Sequence, residues 1–158
     1  MKRNTKKGFT LIEMLVVISM IGILTTLALV SFESSQKRAR DTQRKSDLKQ
    51  YQTALENFAN DSNGLYPSRT TAVAADSLCS TLGVSGTCPV DPKETYTYYY
   101  RSDGSGGVTN NATNYLLWSE LELSDNYWSV CSTGKSGFYS SIPESGATCP
   151  DECETCSD

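Results

Sequence analysis

From Phe9 to Phe32 the chain reads FTLIEMLVVISMIGILTTLALVSF, 24 residues in which Glu13 is the one charged side chain. A helix needs about 20 apolar residues to cross the hydrocarbon core of a bilayer, so this run is long enough to span one. Lys2, Arg3, Lys6 and Lys7 precede it without an acid among them. Basic residues ahead of a first span stay on the cytoplasmic side, which sends everything after Phe32 across the membrane. A cleaved secretory signal would have a shorter apolar core followed by a small-residue cut site, and this run has neither.

The remainder of the 158 residues is polar and rich in Ser, Thr, Asn, Gly and Tyr. After Asp61 there are four basic residues, Arg69, Lys93, Arg101 and Lys135, against twelve acids. That balance argues against a broad phosphate-binding surface. All six cysteines, Cys79, Cys88, Cys131, Cys149, Cys153 and Cys156, lie in this part. In a translocated domain an even number reads as structural disulfides. There is no histidine, which removes the usual acid–base catalyst and the commonest nitrogen ligand for a metal. With no Gly-rich phosphate loop and no recognisable carboxylate pair, no enzymatic activity is expected.

An acid inside an apolar span is costly and is a functional candidate by default. A cut after Gly8 would give Phe9 a free amine about one helical turn from Glu13. At roughly 4 Å and an effective dielectric near 20, such a pair gains about 4 kcal/mol. Inserting a mid-helix charge costs about 3 kcal/mol, so the two charges are tolerable together. The stretch Lys7-Gly8-Phe9-Thr10-Leu11-Ile12-Glu13, followed by Met14-Leu15-Val16-Val17-Ile18, resembles the leader and N-methylation motif of type IV pilins and type II secretion pseudopilins. The resemblance implies cleavage after Gly8 by prepilin peptidase and N-methylation of Phe9. It further implies docking guided by Glu13, whose family counterpart pairs with the terminal amine of an adjacent subunit. The implied partners are identical or homologous subunits in a helical filament, an inner-membrane assembly platform, and membrane lipid before assembly. The implied location is the cytoplasmic membrane with the leader inside, then an extracellular or periplasmic filament.

Beyond Phe32, Leu48, Tyr51, Leu55, Phe58 and Ala59 recur at three- and four-residue intervals, one buried face of a helix. Between and before them Lys37, Arg38, Arg40, Asp41, Arg44, Lys45, Asp47 and Lys49 read as a solvated face with internal ion pairs, in preference to a lipid or nucleic-acid contact. Gly64 and Pro67 mark the stop. One helix of about 53 residues, roughly 80 Å, is expected from Phe9 to Asp61. The stretch from Ser46 to Ser68, ending in Asn-Gly and Tyr-Pro, extends the resemblance to pseudopilins. Val30 departs from it, standing where many members carry proline; Gly22 is a weaker breaker.

The head should carry a short helix over Thr71–Leu82, ended by Gly83, and then strands at Thr95–Arg101, Tyr115–Leu123, Tyr127–Ser132 and Gly137–Ile142. Tyr96, Tyr98 and Tyr100 alternate onto one face, where core packing is favoured over a ligand-stacking surface. The expected fold is α+β and pilin-like, a long N-terminal helix packed on a small antiparallel sheet. Four segments follow: a leader (1–8), a transmembrane or filament-core helix (9–32), its amphipathic continuation (33–62), and a disulfide-bonded head (63–158). Cys79 and Cys88 can close a small loop, and Cys131 can join Cys149 or another member of the tail CPDECETC. Six cysteines allow 15 connectivities, so the pairing stays open. Major pseudopilins of type II secretion carry a calcium site in the head's loop region; Asp91, Asp103 and Asp125 are loop acids here, but they show no calcium-loop spacing and no cofactor is assigned. The expected function is a structural filament subunit. Its rivals are a minor pilin or anchored module whose head captures DNA, sugar or a surface, and an anchored thiol oxidoreductase using Cys153 and Cys156.

Overall fold

The computed structural model describes residues 8–84, 86–104, 110–124 and 126–142, with the side chains of residues 27–31 and 110 outside the described set. A single helix, α1 (Leu11–Asp61), carries the N-terminal third of the chain. No proline interrupts it, and it stops where the backbone turns left-handed at Asn63 (φ 56°) and Gly64 (φ 80°). The Gly64 and Ser62 amides both donate to the Ala59 carbonyl, at 2.8 and 3.1 Å, satisfying an orphan acceptor of the last turn. Two compact units divide the chain, and they meet within α1 between Lys37 and Arg38.

In the first unit every described side chain of α1 from Leu11 to Thr26 is exposed, Leu11 at 84 % and Leu24 at 66 %. Its hydroxyls turn back onto the helix: Ser19 donates to the Val16 carbonyl, Thr25 to Ile21 and Thr26 to Ile23, all within 2.8 Å. Each polar side chain is thereby satisfied internally. Among the described residues no helix is long and apolar enough to cross a membrane. The described side chains of the apolar run stop at Thr26 and resume at Phe32, so part of the expected span lies outside the described set.

The second unit lays the C-terminal half of α1 on an antiparallel sheet. Strands β2 (Val73–Ala74), β3 (Tyr99–Ser102), β5 (Tyr115–Glu120), β6 (Tyr127–Cys131) and β7 (Ser136–Tyr139) are hydrogen-bonded in that order. A separate pair joins β1 (Tyr66–Pro67) to β4 (Asn110–Ala112). Leu48, Tyr51, Leu55 and Ala59 of α1 form one core with Tyr98, Tyr100, Tyr115, Leu117 and Val130. The tyrosine alternation holds for Tyr98 and Tyr100, which are buried while Tyr99 between them is 39 % exposed, but not for Tyr96, which is half-buried outside the ladder. On the opposite face Leu116, Trp118 and Cys131 make a second, smaller cluster.

The expected second helix is not formed. Val73 and Ala74 instead pair with Tyr100 and Tyr99, and only one 3-10 turn follows at Ala75–Leu78. Ala75 and Leu78, three residues apart, are its buried pair, a spacing that one 3-10 turn meets. Thr95–Tyr98 precedes the ladder rather than joining it, because the Tyr96 amide closes a turn onto Lys93 at 2.9 Å. The last two expected strands are shorter than the sequence suggested, ending at Cys131 and Tyr139. The β1–β4 pair was not expected at all. At its corner Gly104 has no room for a Cβ, which would collide with Ser68 and Asn111.

Candidate functional site

The N-terminal motif sits at the helix start. Gly8, Phe9 and Thr10 are non-helical and exposed, Phe9 at 76 %. Thr10 caps α1: its Oγ1 accepts from the Glu13 amide at 3.3 Å, while the Glu13 carboxylate accepts from the Thr10 amide at 3.5 Å. This is a reciprocal capping box, and both contacts are long for hydrogen bonds. Glu13 is thus held over the backbone one residue from Phe9. The Thr10-x-x-Glu13 spacing is a capping signature visible in the sequence, a role for Glu13 additional to the charge pairing expected of it.

The cysteines divide by region. Cys79 and Cys88 are bridged, their Cα atoms 6.3 Å apart, and the loop they close packs against the main core through Cys79, Leu82 and Cys88. Cys131 is also disulfide-bonded. Cys149, Cys153 and Cys156 lie outside the described residues.

The largest departure from the sequence reading is Arg44. Expected on a solvated face, it is fully buried, and Asp41 and Asp47 beside it are almost so. Its Nε and Nη2 donate to the two oxygens of Asp91 at 2.6 and 2.8 Å, a two-pronged pair. Nη1 reaches Asp41 at 2.8 Å and Nη2 also reaches Glu122 at 2.8 Å. The Tyr96 ring covers the guanidinium, 4.4 Å from Cζ to centroid. Arg40 forks onto Glu122 with two bonds of 2.7 Å. Asp41 in turn accepts the backbone amides of Glu122 and Leu123 at 2.9 and 3.0 Å. Hydrogen bonds from Arg40, then Arg44, outweigh burial and hold the Glu122 carboxyl down at about 2. Burial alone would pull the Arg44 pKa down, but the bonds to Asp91 and Glu122 drive it above its ordinary value.

Neighbouring charges are used in the same way. Burial raises Asp47, although the Tyr98 hydroxyl donates to it at 2.7 Å. Glu56 accepts from the hydroxyls of Tyr66 and Tyr115, at 3.0 and 2.8 Å. Tyr66 is pushed up to about 12 by burial and by that carboxylate. Tyr66, Tyr98 and Tyr115 are therefore core residues whose hydroxyls are met by helix carboxylates, while those of Tyr51 and Tyr100 donate to the Pro89 and Pro67 carbonyls. Lys45 lies over Trp128 and Phe138, 4.2 and 4.5 Å from their centroids, and burial lowers its pKa.

The carboxylates of Asp91 and Asp103 are already engaged by protein donors. Both oxygens of Asp91 take guanidinium N–H groups, and one also takes the Lys93 amide at 2.9 Å. Asp103 accepts four bonds from Thr113 and Asn114, between 2.6 and 3.0 Å, which outweigh burial and lower its pKa. Calcium needs six to eight oxygens free to face it. Among the described residues no group of three or more His, Cys, Asp or Glu side chains is arranged to hold a metal. Asp125 lies outside the described residues.

Residues 3–29 match the prokaryotic N-terminal methylation motif. The type IV major pilin protein PilA of Myxococcus xanthus is 40% identical over 52 residues, 33% of this chain and 24% of that protein. Type II secretion system core protein G of Pseudomonas aeruginosa is 40% identical over 68 residues, 43% of this chain and 47% of its own. The type IV major alpha-pilin of Moraxella bovis is 38% identical over 53 residues, 34% of this chain and 33% of its own. The chain thus spans less than half the length of each of these relatives. No solved structure matches. Residues 3–29 thus carry the prokaryotic N-terminal methylation motif, and the chain is similar to type IV pilins and to a type II secretion core protein.

Proposed function

We propose that the chain is a structural subunit of a type IV pilus or type II secretion pseudopilus, a building block and not a catalyst. The observation that carries this reading is the surface of α1 from Leu11 to Thr26: apolar, exposed all round, and broken by a single carboxylate in its first turn. Such a surface is covered either by lipid or by other helices. Residues 9–32 serve as the membrane span and later as the filament core. Residues 1–8 form the cytoplasmic leader, residues 33–62 continue the helix, and residues 63–158 form the head outside.

Prepilin peptidase cuts between Gly8 and Phe9, where the non-helical backbone supports access by a protease. The Phe9 amine is then methylated. Glu13, whose carboxylate accepts one long capping bond from the Thr10 amide, gains a charged partner in that amine. Pairing with the amine of an adjacent subunit in place of its own sets the axial register as the assembly platform lifts the chain out of lipid. N-terminal sequencing of the mature protein tests the processing step. The expected first residue is N-methylated Phe9; a mature chain beginning at any other residue overturns the assignment.

A further inference from the structure

We propose that Arg44 is the resident cation of the head, tying three of its segments together in the role a divalent ion would otherwise fill. Three segments converge on it: α1 through Asp41, the segment after the Cys79–Cys88 loop through Asp91, and the segment between β5 and β6 through Glu122. Asp41 extends the tie to backbone by accepting the amides of Glu122 and Leu123, and Asp91 does the same for Lys93. The hydrogen bonds described for the guanidinium are all donated by N–H to carboxylates, and the Tyr96 ring covers its face. The oxygens that a divalent ion would need are already engaged at Asp91. The guanidinium suits this role because it keeps its charge when buried and presents its donors in a fixed plane. Arg40 and Lys93, 2.7 and 3.8 Å from Glu122, bring further positive charge to the acids. The inference concerns the head alone and stands whether or not the chain forms a filament.

The test uses the full chain in detergent, comparing wild type, Arg44→Met and Arg44→Lys with excess calcium and with excess chelator. Wild type is expected to melt at the same temperature in both. Arg44→Met should melt more than about 10 °C lower, as removal of one partner from a buried ion cluster implies. Arg44→Lys keeps the charge without the planar fork; its head should fold, with amide exchange at Glu122 and Leu123 accelerated about 100-fold. A wild-type head that loses melting temperature in chelator overturns the proposal. So does an Arg44→Lys variant whose Glu122 and Leu123 amides stay as protected as in wild type.

Discussion

The two halves of α1 share one backbone geometry and almost nothing else. From Leu11 to Thr26 the helix exposes apolar side chains in every direction and satisfies its few hydroxyls on its own carbonyls. From Arg38 to Asp61 it buries one face, and that face mixes Leu48 and Leu55 with Arg44, Asp41 and Asp47. The first half leaves its apolar surface exposed, and under the proposed function lipid or a neighbouring helix covers it. The second half has spent its apolar stripe inside its own head. On that reading one helix carries an association surface and a folding core, each with its own set of perturbations.

Exchanging Glu13 for leucine attacks the first half. Filament yield should fall at least tenfold, because about 4 kcal/mol of pairing is lost at each subunit contact. Sheared-filament recovery measures it, and the head's melting temperature should not change. In the second half, Leu55→Ala removes a fully buried side chain and should cost 2–5 kcal/mol of head stability, roughly, by denaturant unfolding.

Acid separates the halves further. Glu122 has a folded pKa of about 2 against 4.5 ordinarily, so its stabilisation is complete above pH 4.5. It is lost as pH falls from there through about 2, a contribution of at most about 3 kcal/mol. Melting curves across that window should show the decline, and Glu122→Gln should flatten it. The smallest effect belongs to Leu15→Ala, at a residue 55 % exposed, which should leave head stability within about 0.5 kcal/mol of wild type.

Where the sequence spoke in periodicity, it was legible. Leu48, Tyr51, Leu55 and Ala59 of the expected stripe and Tyr98 and Tyr100 of the alternation landed in one core, while Phe58 and Tyr96 are only half-buried. The Asn63-Gly64 stop followed from the left-handed backbone those residue types accept. Arg44 was missed because it was read by its charge and not by its phase. It lies four residues before Leu48 and seven before Tyr51, so extending the stripe backward puts it on the buried face. Its partners Asp91 and Glu122 are distant in sequence, and nothing local announces them. Strands β1 and β2, two residues each, are too short to carry a period. The Thr71–Leu82 stretch has apolar spacing that a helix would suit, but pairing with β3 claimed Val73 and Ala74 first.

An apolar stripe of leucine and tyrosine is nearly indifferent to sliding along a sheet by one turn, about 5.4 Å. The bonds from Tyr98 to Asp47, from Tyr66 and Tyr115 to Glu56, and from Arg44 to Asp91 and Glu122 permit no such slip. Grease sets how firmly the helix is gripped; these polar links set where along its length the grip closes.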